Sequence, residues 1–375
     1  MNFETIIGIE IHCELNTKTK MFSSAPNSFG KEPNTQVSAV DLAHPGIMPT
    51  VNKKAVVYAI MACSALNLEI DNELWFDRKN YFYSDLPKGY QITQDKRPIG
   101  KNGYLEIETS NGLKRIGIER IHMEEDTAKQ SHFGDYTLID YNRCGVPLIE
   151  IVSKPDMRSG EEAAKYVEKL RSILAYCGVS DCRMDEGSMR CDINISLRPF
   201  GSDKFGVKTE IKNLNSINNI QRAIEYEVAR QEKLLLKGLC VEQETRRFDE
   251  TSKQTVLMRK KTDAVDYKYY TESNIMPIRL SKSFINDAIS LVPELPDVRF
   301  KRYIEVLNLS EYDAKQIVAN KPVADYYEKC LNYFNDPKVV ANWILGDIFS
   351  YLNKNNLTIN NLKLAPENLA KLLKL

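Results

Sequence analysis

No net charge, no long apolar run and no paired-cysteine motif mark this 375-residue chain, and each absence removes a class of protein. Lys plus Arg equals Asp plus Glu at 51 each, so no global field announces nucleic acid or an anionic membrane; a polyanionic partner needs a local patch. No uninterrupted apolar segment approaches the roughly 20 residues of a bilayer-spanning helix. The start, MNFETIIGIEIH, carries acids before and within its apolar stretch and lacks a basic lead, which argues against a signal peptide. The eight cysteines are scattered without a C-x-x-C pair, the distribution expected of reduced, buried thiols in a cytoplasmic protein. Neither a G-x-x-x-x-G-K-[ST] loop nor a strand followed by G-x-G-x-x-G occurs. A nucleotide here would be held by metal and carboxylates rather than by a glycine nest. Ser23 and Ser24 sit in the polar stretch FSSAPNS without a glycine-rich nucleophile turn, and read as loop residues.

What the chain does have is carboxylates in strand-like surroundings. From Ile6 to Leu15 the residues alternate, with Ile7, Ile9, Ile11 and Cys13 on one face and Glu10, His12 and Glu14 on the other. Asp192 alternates in the same way with Cys191 and Ile193, Glu210 stands between Lys208 and Lys212, and Glu124, Glu125 and Glu150 lie in similar runs. If these strands are neighbours, their polar faces form an acidic floor. Converging carboxylates repel one another unless a cation lies among them, and a hard divalent ion, Mg²⁺ first, is the natural choice. Five or more acids suggest two ions bridged by a nucleotide. His12 is the odd donor, because imidazole suits Mn²⁺ or Zn²⁺ better and can instead hydrogen-bond a neighbouring acid. The same alternation also describes any amphipathic antiparallel sheet with one wet face.

The organisation expected is α+β: an antiparallel-sheet cradle with flanking helices over residues 1–293, then a small all-α domain over 294–375. Strands are predicted at 3–15, 104–109, 113–122, 136–140, 146–152, 190–198 and 205–212, and helices at 52–67, 159–178 and 216–237. Ser159 with Glu162 predicts a capping box, and Gly178 a helix stop. After the joint PELPD, helices are predicted at 299–307, 311–319, 322–334 and 338–353. Two segments are dense in cations and aromatics. KNYFYSDLPKGYQITQ (79–94) offers Lys79, Tyr81 and Lys88 to a polar passage or a ligand, or forms a solvated hairpin. RRFDETSKQTVLMRKKTDAVDYKYY (246–270) sets Arg246, Arg247, Arg259, Lys260, Lys261 and Lys268 near Tyr267, Tyr269 and Tyr270, as a phosphate and base-stacking surface would, or as an exposed ribbon would.

Read together, LIDYNRCGVPLIEIVS (138–153), RIHMEEDTAK (120–129), MRCDINIS (189–196), KTEIKNLNS (208–216), YFYSDLPKGYQI (81–92) and TRRFDETSKQTVLMR (245–259) closely resemble the GatB subunits of the bacterial tRNA-dependent amidotransferases. The likeness runs from IGIEIH to LSEYDAK (309–315). It implies a heterotrimer completed by an amidase-type partner and a small third partner. The complex would be a glutamine-dependent carbon–nitrogen ligase that turns misacylated Glu-tRNA(Gln), and often Asp-tRNA(Asn), into the cognate aminoacyl-tRNAs. The chain resembled here would use ATP and Mg²⁺, with two ions in view, to phosphorylate the side-chain carboxylate before ammonia attacks. The resemblance implies metal and nucleotide roles for Glu10, His12, Glu124, Glu125, Glu150, Asp192 and Glu210, with Glu125, Glu10 and Lys79 closest to the chemistry. It implies ligand or passage roles for Lys88, Tyr81, Asn213, Asn215, Arg246, Arg247 and Arg259. Ser84 stands where the family commonly has Pro, and Phe248 where Trp is common. The tail module that usually follows the helical part is expected to be absent. Two rival classes stay open from the residues alone: a metal- and ATP-dependent ligase acting on a small molecule, and a non-catalytic tRNA-binding protein.

Overall fold

A computed structural model describes residues 2–260 and 267–374. The chain divides into two compact units, Met1–Val292 and Pro293–Leu375.

In chain order the first unit runs β1 (Phe3–Glu14), α1 (Lys53–Ala65), β2 (Glu69–Ile70), β3 (Glu73–Leu74), β4 (Asp77–Asn80), β5 (Tyr90–Thr93), β6 (Gly100–Thr109) and β7 (Gly112–Glu125). It continues with β8 (Lys129–Phe133), β9 (Tyr136–Asp140), β10 (Pro147–Ser153), α2 (Gly160–Cys177), β11 (Met189–Pro199), β12 (Thr209–Lys212) and α3 (Ile217–Leu236). It closes with β13 (Glu244–Asp249), β14 (Gln254–Lys260), β15 (Tyr270–Thr271), β16 (Ile278–Arg279) and α4 (Lys282–Ile289). Among the described residues nine strands form one sheet in the order β14-β13-β12-β11-β1-β10-β7-β6-β2. Every pairing in it is antiparallel except β12 with β13, which is parallel.

The first strand of the chain is thus central. Its even-spaced apolar residues Ile7, Ile9, Ile11 and Cys13 are fully buried, each contributing about 1.5–3 kcal/mol where the side chain is large. Helices cover that apolar side: α3 packs on β11, and Gln231 Nε2 donates to Thr209 Oγ1 at 3.2 Å. The opposite face is left for the polar set. Helix α2 starts as expected, with Ser159 Oγ accepting from Glu162 N at 3.2 Å, and stops at Gly178 in the left-handed region, φ +67°. The reciprocal half of the capping box differs. The Glu162 carboxylate accepts from the backbone of Arg158, one residue before the cap, at 2.6 Å and from Lys114 Nζ at 2.8 Å.

The second unit is helical: α5 (Pro296–Glu305), α6 (Glu311–Val318), α7 (Lys321–Leu331), α8 (Pro337–Trp343), α9 (Phe349–Lys354) and α10 (Pro366–Leu372). The helix predicted over 338–353 is interrupted by a π turn, Ile344–Ile348, which contains Gly346. The sequence does not predict strands β2 to β5, β8 and β13 to β16; they are two to seven residues long and show no clear period of two.

Candidate functional site

Register brings the acids together. Across the sheet Glu10 faces Asp192 on β11, His12 faces Glu150 on β10, and Glu150 in turn faces His122 on β7. Asn194 faces Glu210 on β12. Directly opposed residues of neighbouring strands share a face, so one face carries Glu10, His12, His122, Glu124, Glu150, Asp192 and Glu210. One part of it has the shape of a cation site: His12, Glu124 and Glu150 place donor atoms within 4.8 Å of one another. His12 Nε2 lies 3.3 Å from Glu150 Oε2 and 3.6 Å from Glu124 Oε1. A cation bound about 2.0–2.2 Å from each donor would draw such atoms to roughly 3 Å apart, a small adjustment.

The electrostatics agree with the geometry. Burial, and then the charges of Glu150, Asp192 and Glu210, push the Glu10 carboxyl above its ordinary range. Its Oε1 accepts from Asn194 Nδ2 at 2.9 Å. His122 Nε2 lies 3.1 Å from Glu150 Oε2 and 3.6 Å from Glu124 Oε2, bridging the two acids from behind. Burial opposes its protonation, but the Glu150 charge and both carboxylates raise it to about 9. Its buried Nδ1 has no hydrogen-bond partner among the described residues. Lys212 Nζ lies 2.6 Å from Asp192 Oδ2 and 3.2 Å from Glu210 Oε1. These acids outweigh its burial and raise it to about 12.

A cavity of about 770 Å³ opens beside this face, lined by His12, Lys79, Tyr81, Glu124, Asp192, Lys212, Asn213 and Asn215 among others. Asn213 adopts φ +62°, a left-handed conformation that asparagine tolerates, and turns the chain along the cavity wall after β12. Acids beside a roomy cavity disfavour an apolar ligand, and a cation among them would let the cavity take a polyphosphate.

Likeness to known proteins identifies the family. The GatB/GatE catalytic domain matches residues 5–286, and the GatB domain matches 325–375. The GatB subunit of the aspartyl/glutamyl-tRNA(Asn/Gln) amidotransferase of Geobacillus thermodenitrificans is 54% identical over 100% of this chain and 79% of its own length. Those of Lysinibacillus sphaericus and Staphylococcus aureus are each 52% identical with the same coverage. The chain belongs to the GatB family. Neither the small-molecule ligase nor the non-catalytic protein is favoured by relatives that share this name over the whole chain.

The remaining residues singled out in this GatB sequence are distributed unevenly. Glu125 does not join the acids. Alternation turns it away from Glu124, and its carboxylate takes Lys88 Nζ at 2.6 Å and Ile92 N at 3.0 Å, in an almost fully buried ion pair. It lies outside the group formed by His12, Glu124 and Glu150. Lys79 is held against aromatic faces, 4.8 Å from the Tyr267 ring and 5.8 Å from Tyr81. Burial lowers its pKa, but Glu124 and other acids raise it overall. Residues 246–260 form an antiparallel ribbon with two differing faces. Arg246 lies on the helix-covered face, where it donates to Glu244 Oε2 at 2.7 Å and to Thr255 Oγ1 at 3.0 Å. Arg247 and Arg259 are exposed on β13 and β14, Tyr267 meets Lys79, and Tyr270 meets Arg78. Lys261 lies outside the described residues.

Sequence reasoning misses His122, Lys212 and the buried Asp126, whose carboxylate takes Arg190 Nη2 at 2.6 Å. His122 is legible in principle, since it stands two residues before Glu124 and so shares its face. Among the described residues no helix is long and apolar enough to cross a membrane, and seven of the eight cysteines are buried and free.

Proposed function

We propose that this chain is the kinase and transamidase component of a glutamine-dependent carbon–nitrogen ligase. It would convert Glu-tRNA(Gln) and Asp-tRNA(Asn) into Gln-tRNA(Gln) and Asn-tRNA(Asn) with ATP and Mg²⁺. The observation that carries this reading is the convergence of His12, Glu124 and Glu150 with Glu10, Asp192 and Glu210 on one face beside the cavity. A side-chain carboxylate resists ammonia because its leaving group would be oxide. In the first step one of its oxygens bonds to the γ-phosphorus as the bond to ADP breaks; in the second, ammonia bonds to the carbonyl carbon and phosphate leaves. His12, Glu124 and Glu150 would hold Mg²⁺, which would supply positive charge against the phosphate oxygens, and Glu10, Asp192 and Glu210 would be the donors for a second ion.

The residues divide the remaining work. His122 fixes the two carboxylates so that they meet the cation in one arrangement. Lys79 and Tyr81 with Asn213 and Asn215 orient the reacting ends within the cavity. Glu125, paired with Lys88, takes the proton as ammonium becomes ammonia and then amide. Ammonia reaches it from the amidase-type partner, and a small third partner completes the heterotrimer. Arg247 and Arg259 offer exposed cations to tRNA phosphates.

The test is ammonia- and glutamine-dependent formation of Gln-tRNA and Asn-tRNA by this chain co-purified with both partners. Product is expected with the native chain and lost in Glu10→Ala and Asp192→Ala with the complex intact; retention in both overturns the reading. Glu125→Gln is expected to abolish amidation while glutaminase activity of the amidase-type partner continues.

A further inference from the structure

The cations that balance the acid floor are unevenly placed. Around His12, Glu124 and Glu150 the compensating groups are imidazoles held on strands. At Asp192 and Glu210 the compensating group is the end of a lysine, with Lys212 Nζ 2.6 and 3.2 Å from the two carboxylates. This is where a second divalent ion would bind in the reading above, on which the present inference rests. An ammonium this close to both carboxylates stands where the divalent ion would sit between them, and the two like charges repel.

Lys212 is built to move at its tip alone. Its backbone is held by the parallel pairing of β12 with β13, opposite Arg247, and β12 ends there as Asn213 turns into the left-handed region. Its side chain keeps 32% of its surface exposed and, with Asn213 and Asn215, lines the cavity. A four-carbon stem carries the charge through several ångströms by rotamer change, without backbone motion. The same ammonium therefore reaches either the acids or a ligand in the cavity.

We propose that Lys212 is an exchangeable counter-ion. Its ammonium occupies the second cation position until a divalent ion arrives with the nucleotide, and then turns into the cavity to bind phosphate oxygens. The exchange makes and breaks no covalent bond and moves no proton. The acids trade one positive charge for two, and the displaced charge finds the polyphosphate. Binding of the second ion and of nucleotide are thereby coupled, each assisting the other by the same factor.

The test uses the full chain with its partners, Mn²⁺ as the probe ion counted by the paramagnetic resonance of the free metal, and a β,γ-imido analogue of ATP. The native chain is expected to bind one Mn²⁺ without nucleotide and a second with the analogue. Lys212→Met should bind both without nucleotide and bind the analogue about tenfold more weakly, the loss of one charged hydrogen bond. Lys212→Arg, which keeps the charge, should still bind one Mn²⁺ without nucleotide. Two ions on the nucleotide-free native chain, or one on nucleotide-free Lys212→Met, overturn the proposal. If Lys212→Met does not fold, the native titration decides alone. No ion bound by the native chain in either condition overturns the metal reading itself, an outcome distinct from failure of the exchange.

Discussion

The acid floor of the first unit and the ion-pair cluster of the helical unit use the same residue types to opposite ends. In the helical unit Arg299 lies 2.7 Å from Asp325 and 3.0 Å from Glu328, and Arg302 lies 2.5 Å from both Glu294 and Glu328. Tyr303 Oη donates to Glu328 at 2.9 Å. Each acid there has a guanidinium, and the pKa values of Glu294 and Asp325 fall below their ordinary range. On the sheet five carboxylates face two imidazoles and one ammonium, and Glu10 is pushed upward. Acids that are matched hold a fold together. Acids that outnumber their cations store repulsion, which a bound ion relieves.

That contrast can be broken most severely at Glu150, which touches both imidazoles. Glu150→Gln should lower amidation about 10³-fold and abolish nucleotide-free Mn²⁺ binding, read by single-turnover assay and metal titration. In the helical unit Arg299→Met should cost about 2–3 kcal/mol, discounted for the partly exposed acids, and leave Mn²⁺ binding unchanged, read by denaturant unfolding. Glu10→Gln sharpens the comparison through its sign. The amide keeps the acceptor for Asn194 and removes a repelling charge, so the metal-free chain should gain about 1 kcal/mol while binding Mn²⁺ more weakly, checked by unfolding and titration side by side. Acid gives the smallest effect. The folded pKa values of Glu294 and Asp325 lie below their unfolded ones, so their stabilisation is full above about pH 5 and is lost as pH falls through the folded values. Hydrogen exchange of residues 293–375 between pH 6 and pH 3 measures that loss.

Much of the floor is visible in the sequence because strand parity is a strict code. Glu10 and His12 share parity, as do Asp192 and Asn194, and the structure puts each pair on one face. The same code, applied to adjacent residues, separates Glu124 from Glu125, and family likeness alone groups them. What parity cannot give is register between strands distant in sequence, and that decides the pairing of His122 with Glu150 and of Lys212 with Asp192. Arg246 and Arg247 divide for a related reason: adjacency in a strand means opposite faces, so Arg246 lies opposite Ile211 and Arg247 opposite Lys212. The π turn at Ile344–Ile348 leaves no mark in the hydrophobic spacing, which continues through it.

The central place of β1 also bears on how the protein is made. Its first residues leave the ribosome long before their partners, β10 and β11, which end at Ser153 and Pro199. Through that interval an isoleucine-rich strand waits with both edges open, the kind of segment that pairs with strangers. Glu10, His12 and Glu14 interrupt it at every second position, as gatekeeping charges do. The residues that later gather a cation thus first keep a nascent strand apart from its neighbours.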